Sequence, residues 1–284
     1  MAWLVTAGGA ASGARGERTA PSSPRKLYLL CWFFGSLLTA FLVIPLIALT
    51  LSQSWAGFSE VARMADVRDA IVLSLEGAFL SATLAALAGV PLAYGLARTS
   101  FPGKGVIEAL IDLPLAVPHT VAGVALLMVF GRQGVLGEPL RALVGLKFWG
   151  TLAGIVVAML FVSAPYTVNA ARIGFAAVDP RLEKIARTLG LNPWRTFWRI
   201  TLPLARRGVM TGVTLTYARS ISEFGAVVIL VYYPMTAPVK IYELFLRFGL
   251  DQAASAAALL LFVSLALFLL LRALSRGAPE RESR

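Results

Sequence analysis

The chain has 284 residues, 58% of them hydrophobic and 14% charged, with a mean hydropathy of +0.76. Soluble domains average about 45–50% apolar and about 25% charged residues, and a core of this size cannot hide so large an apolar share. A soluble enzyme and a disordered chain are therefore both excluded. The net charge of +11 fits basic loops on the cytoplasmic face of an integral membrane protein better than a nucleic-acid partner. One cysteine, Cys31, rules out an internal disulfide. A single histidine, His119, argues against a metal site.

A helical span needs about 20 mostly apolar residues. Such runs predict six, at about 28–51, 70–97, 112–131, 148–171, 206–232 and 252–272. The expected fold class is an all-α integral membrane protein with a transmembrane domain over 28–274 and short tails at 1–27 and 275–284. The first tail is rich in Ala, Gly, Ser and Arg and is expected to be disordered. It resembles the positive start of a secretory signal, but the apolar run behind it exceeds a signal's 7–15-residue core, so a retained first helix is expected. With the N-terminus cytoplasmic, inside segments hold 18 of the basic residues and outside segments 7, which places both termini inside.

Between the fourth and fifth spans, residues 172–205 read as two short helices. Asp179-Pro180 supplies an N-cap followed by proline at the first helical position. Leu182, Ile185, Ala186 and Leu189 then recur on one face. Gly190 is a C-terminal stop, and Asn192-Pro193 repeats the start signal. Trp194, Phe197 and Trp198 make the second helix apolar on one side, and Ile200-Thr201-Leu202-Pro203 is expected to end the unit. Three readings stay open for so basic and amphipathic a loop: a membrane-surface pair, a DNA reader, or helices that dock in a partner's groove.

Charge inside a span is costly and marks function or architecture. Arg219 falls in the fifth span, with Glu223 one helical turn on. Either they neutralise each other to hold helices together, or a stripe of Gly212, Thr216, Arg219 and Glu223, with Thr211, Thr214, Ala218, Ser222 and Gly225 beside it, lines a pathway. Pro114 and Pro118 interrupt the third span. His119 beside them is either a gate residue or a satisfied histidine at a helix break. Asp112 reads as a charge at that helix's N-terminus. No G-x-x-x-x-G-K-[ST] sequence is present, so nucleotide energy has to enter through another subunit.

Gly190, nine residues, and Ile200-x-Leu202-Pro203 resemble the cytoplasmic loop of ABC importer permeases, whose motif reads E-A-A-x3-G-x9-I-x-L-P. Here Lys184, Ile185 and Ala186 fill the first three positions, so the glutamate is displaced to Glu183. Residues 112–123 (DLPLAVPHTVAG), Ile221-Ser222-Glu223-Phe224-Gly225-Ala226 and Tyr232-Tyr233-Pro234-Met235 are similar to molybdate/tungstate permeases of the archaeal tungstate type; sulfate permeases are close relatives. The resemblance implies the type I ABC importer permease fold and a non-catalytic homodimer in the cell membrane. It implies two ATP-binding cassette subunits docked on the loop through Asp179, Glu183, Ala186, Arg187, Leu189, Gly190, Pro193, Leu202 and Pro203. Those subunits would hold ATP and Mg, this chain neither cofactor nor metal. An extracytoplasmic oxyanion-binding protein would dock near 132–149 and 233–250. Thr211, Thr214, Arg219, Ser222, Glu223 and His119 are the expected pathway or gate residues. A membrane enzyme and a scaffold protein are the rival classes.

Overall fold

The computed structural model describes residues 24–276. The chain divides into two units, Met1–Leu51 and Ser52–Arg284. The described part of the first is one helix, α1 (Pro24–Leu51), 28 residues with Pro45 inside it. At about 1.5 Å per residue it exceeds the about 30 Å of a bilayer's hydrocarbon. The predicted tails, 1–27 and 275–284, lie outside the described residues except for 24–27 and 275–276, which are helical.

The second unit runs α2 (Trp55–Arg63), α3 (Ala65–Arg98), α4 (Lys104–Ala116), α5 (His119–Phe130), α6 (Gly137–Val144), α7 (Leu152–Ala176), α8 (Pro180–Thr188) and α9 (Pro193–Thr196). A π-helical turn (Phe197–Thr201) leads into α10 (Leu202–Ile221), followed by α11 (Gly225–Leu230), α12 (Ala237–Phe248) and α13 (Leu250–Arg276). No strand occurs among the described residues. Four helices, α1, α3, α7 and α13, are long and apolar enough to cross a membrane; α4 and α5 meet that test only as a pair, bent by 111° at their break.

Two of the predicted spans are not continuous helices. The third is not one helix from 112. Its chain is helical from Lys104, Pro114 sits inside α4, and the break falls at Val117-Pro118. Val117 is extended there (φ −79°, ψ 131°), as a residue before proline is pushed to be. Asp112 thus lies near the C-terminal end of α4 rather than at a helix N-terminus, and Oδ1 accepts from Asn169 Nδ2 of α7 at 2.6 Å. The fifth span is helical only to Ile221 and resumes at Gly225. Arg206, Arg207 and Arg219 leave α10 less apolar than the other passages.

The core is the junction of α3, α7 and α10. One face of α3 carries Ala78, Ser81, Ala82, Ala85, Gly89 and Ala93, all buried. It lies against Ile155, Ala158, Met159 and Val162 of α7. Lipid tails are as apolar as leucine, so helices in a bilayer associate through close packing and buried hydrogen bonds. Both devices are present. Ser163 and Ser220 hydroxyls are 2.8 Å apart and Ser81 is 3.2 Å from Ser220, so one serine from each helix meets at the centre. Thr167 and Thr216 pair at 2.6 Å. Gly208 and Gly212, one G-x-x-x-G step on α10, let α7 approach so closely that a Cβ at Gly208 would stand 2.6 Å from Gly174 Cα.

The amphipathic α12 is pinned to the N-terminal end of α3. Lys240 Nζ is 2.5 Å from Asp66 and 2.6 Å from Glu243, and the Ala237 N–H donates to Ser74 Oγ at 2.7 Å. Burial pushes the Lys240 ammonium down, but the two carboxylates more than offset it and hold its pKa above the ordinary lysine value.

Candidate functional site: a charged break in α10–α11 and a docked loop

The α10–α11 break is organised by one carboxylate. After α10 ends, the Glu223 N–H donates to Ser220 O at 3.0 Å, and Glu223 Oε1 accepts the Ala226 N–H of α11 at 2.8 Å. An otherwise unpaired helix-end donor is thereby satisfied by a negative group, where the helix dipole favours it. The other oxygen, Oε2, accepts from Arg219 Nη2 at 2.9 Å.

His119, the first residue of α5, completes the cluster. Arg219 Nη2 lies 2.8 Å from His119 Nε2. The same Nη2 is 3.3 Å from His119 Nδ1, which in turn is 3.5 Å from Glu223 Oε2. What sets α5 beside α11 is the absence of side chains at two crossings. A Cβ on Gly225 would come 2.7 Å from His119 Cβ, and one on Gly123 would come 2.9 Å from Ile229 Cβ.

Exposure is graded across the trio. The side chain of Glu223 is 1% exposed, Arg219 22% and His119 45%. The carboxylate is thus sealed behind the guanidinium, whose free Nη1 donates to the exposed Ser222 hydroxyl at 3.3 Å. Thr211, two turns earlier on α10, is exposed as well. The remaining members of the predicted stripes fall elsewhere. Thr214 is buried, Thr216 is sealed against Thr167, and Gly212 meets the α7 backbone at Thr167. They belong to helix packing because this side of α10 faces α7 and α3.

The loop between α7 and α10 folds as its punctuation predicts, with one difference. Asp179 Oδ1 accepts from the Arg181 N–H at 2.8 Å and Asn192 Oδ1 from the Arg195 N–H at 2.8 Å. Pro180 and Pro193 open their helices. Gly190 takes φ +88°, and the Gly190 and Leu191 N–H groups return to Arg187 O and Ala186 O, closing a Schellman cap. The difference is at the end of the unit. Ile200–Pro203 does not terminate it, since the π-helical turn carries the second helix into α10, with Leu202 N–H donating to Phe197 O.

The faces of this loop are divided unexpectedly. Glu183, expected among the residues that dock the ATPase, is buried with Ala186. Its Oε1 accepts from Arg98 Nε at 2.8 Å and from Thr201 Oγ1 at 2.9 Å, and Tyr94 OH donates to Oε2 at 3.3 Å. Arg98 Nη2 also donates to Val178 O at 3.0 Å. The C-terminal end of α3 therefore grips both the entry of the loop and its first helix. Phe197 packs edge-on to Tyr94 at 4.9 Å. Sequence reasoning missed Tyr94 and Arg98; the one available signal was a basic residue ending the second span.

Conversely, Leu182, Ile185, Leu189, Trp194 and Trp198 face outward, with Leu189 76% and Trp194 69% exposed. Asp179, Arg187, Pro193 and Pro203 serve caps and helix starts or lie on the exposed side, while Leu202 packs partly against the Phe175 cluster. Among the described residues no cluster of His, Cys, Asp or Glu could hold a metal. The arrangement has a chemical character without a reaction in it: a cation presented at a helix break, and an apolar ledge fixed to the core by a buried ion pair.

Residues 85–278 match the family described as binding-protein-dependent transport system inner membrane component. The molybdate/tungstate transport system permease protein WtpB of Thermococcus kodakarensis is 42% identical over 252 residues, covering 87% of this chain and 96% of that one. The probable sulfate transport system permease protein cysT of Chlorokybus atmophyticus is 35% identical over 261 residues, 89% of each. Among solved structures, a bacterial alginate ABC transporter crystallised with its alginate-bound periplasmic protein superposes with a TM-score of 0.71 at 18% identity, covering 92% of this chain and 98% of that one, a likeness of fold. The chain belongs to the family of binding-protein-dependent transport system inner membrane components: it is a multi-pass, non-catalytic permease of an ABC importer.

Proposed function

We propose that this permease forms the pathway for tungstate or molybdate in an ATP-driven importer. It would act as a homodimer with two ATP-binding cassette subunits, which hold the ATP and Mg, and an extracytoplasmic oxyanion-binding protein; both termini face the cytoplasm. The observation that carries the reading is the graded Arg219–Glu223–His119 cluster. A guanidinium at an exposed helix break attracts a divalent oxyanion, and the sealed carboxylate behind it keeps that attraction too weak to trap the ion. The similarity to molybdate/tungstate permeases supports this anion over sulfate, which remains the second reading because a sulfate permease is also similar.

The outward ledge of Ile185, Leu189, Trp194 and Trp198 suits insertion into a cleft of the ATPase. Because Glu183 and Arg98 fasten that ledge to α3, displacement of the loop would move α3, α7 and α10 together. The test is ATP hydrolysis by the reconstituted complex with tungstate-loaded binding protein. Several-fold stimulation over the unloaded protein is expected, and Gly190→Val is expected to abolish it. Nothing lies within 4 Å of a Cβ at Gly190, so the damage comes from the φ of +88° alone, which a β-branched residue resists. Full stimulation in that variant would remove the docking argument.

A further inference from the structure

At the opposite end of α7 from the coupling loop the chain builds a small cationic cup. It is lined by Phe130, Arg132, Arg141, Lys147, Phe148 and Trp149, together with two glycines, and encloses about 260 Å³. Pockets for drug-sized ligands run to about 300–1,000 Å³, so this one suits a small ion with a few waters. Residues 131–151 contain one acid, Glu138, which does not line the cup. None of the three cations has an ion-pair partner among the described residues. Three exposed like charges around one cavity without a counter-charge give it a positive potential that attracts an anion.

The cup is also fixed in shape. The Leu136 N–H donates to Val129 O at 2.8 Å, Val135 to Met128 O at 3.2 Å and Gly134 to Gly131 O at 3.0 Å, folding the chain back on α5. Gly137 opens α6 where any Cβ would collide with the Gly131 and Phe130 carbonyls. Gly145 ends α6 with φ +70°, and Thr151 Oγ1 donates to Lys147 O at 2.7 Å. Phe130 and Phe148 pack at 4.9 Å as the floor. The frame fixes the backbone positions from which the three exposed cations reach the cup. The 25 residues of α7 put this cup about 37 Å of helix away from the coupling loop, on the other membrane face.

We propose that this cup is a binding site for a free tetrahedral oxyanion, the point at which the permease receives its ion before the Arg219 break. The identity of the ion rests on the function proposed above; the site does not. A lipid phosphate shares the same chemistry, but a volume of about 260 Å³ favours a compact ion over a headgroup carrying its glycerol and chains.

The experiment is equilibrium dialysis of tungstate, with sulfate in a parallel arm, against the permease–ATPase complex in phosphatidylcholine nanodiscs. Binding protein and nucleotide are left out. Replacing Arg132, Arg141 and Lys147 together by alanine is expected to weaken anion binding at least ten-fold, while Arg132→Lys, Arg141→Lys and Lys147→Arg together retain it, which separates loss of charge from misfolding. Unchanged binding in the alanine variant overturns the proposal. So does loss of co-purifying anionic lipid, detected by mass spectrometry, with tungstate binding intact. Sulfate bound at the cup with no uptake of tungsten or molybdenum would keep the site and retire the assigned ion. ATP-driven tungstate uptake without any anion binding at the cup would keep the permease and retire the site.

Discussion

Arg219→Ala is expected to lower ATP-dependent anion uptake at least ten-fold, and the reason it does so can be separated from simple loss of structure. Removing the guanidinium takes away the cation presented at the α10–α11 break, but it also leaves Glu223 buried, 1% exposed, with only the His119 ring beside it, 3.5 Å from Oε2. An uncompensated buried charge typically costs about 3–5 kcal/mol, so the single variant is expected to be less stable as well as inactive. Arg219→Ala combined with Glu223→Gln removes both charges while a side-chain oxygen still accepts the Ala226 N–H. The double variant is expected to recover thermal stability and remain unable to transport. Recovery of uptake along with stability would make the pair an architectural clamp. Arg219→Lys is expected to fall between, because lysine keeps the charge but cannot reach Glu223, His119 and Ser222 with separate fixed donors.

Gly208→Ala is expected to be strongly destabilising at the α7–α10 crossing. Its added Cβ would stand 2.6 Å from Gly174 Cα and 3.0 Å from Ala170 O, both backbone, so no side chain can turn away and α7 and α10 must separate. Overpacking of this kind costs about 1–3 kcal/mol or more. The separation would also lengthen the Thr167–Thr216 and Ser163–Ser220 contacts, now 2.6 and 2.8 Å. A drop of several degrees in the unfolding temperature of the detergent-solubilised complex is the expected result. Gly95→Ala is the control. A Cβ there meets nothing within 4 Å, and alanine is the better helix former by about 1 kcal/mol. Equal losses in the two variants would mean that the close α7–α10 approach contributes no stability of its own.

How far the sequence discloses this molecule depends on the range of the forces involved. Hydropathy located α1, α3, α7 and α13 because each is a local apolar run, and capping chemistry located α8 and α9 because Asp179, Pro180, Gly190, Asn192 and Pro193 act on their own neighbours. The α10–α11 break was hidden because no proline or turn cluster marks Ser222–Phe224. It is made by the Glu223 side chain reaching forward to Ala226 and back to Arg219. Pro118 announced an interruption, but the 111° bend depends on how α4 and α5 pack against other helices. The pairing of Arg219 with Glu223 was legible from their spacing, whereas His119 joins them across 100 residues. The partners of Glu183 were hidden for the same reason: Tyr94 and Arg98 lie 89 and 85 residues away. The apolar face of α8 was recognised as a face, yet its orientation was decided by that buried ion pair, which turns Leu182, Ile185 and Leu189 outward. The cationic cup went unread because Arg132, Arg141 and Lys147 look like scattered loop charges until the chain folds back on α5.

The most direct test of the account is metal-resolved uptake into proteoliposomes holding this chain with its ATPase and binding protein. Tungstate, molybdate and sulfate are supplied together at equal low concentration, with and without ATP. The account predicts ATP-dependent accumulation of tungsten or molybdenum in excess of sulfur, lost in the Arg219→Ala, Glu223→Gln double variant. Accumulation of sulfur alone would contradict the assigned anion, and no ATP-dependent uptake of any of the three from an intact complex would contradict the transport function itself.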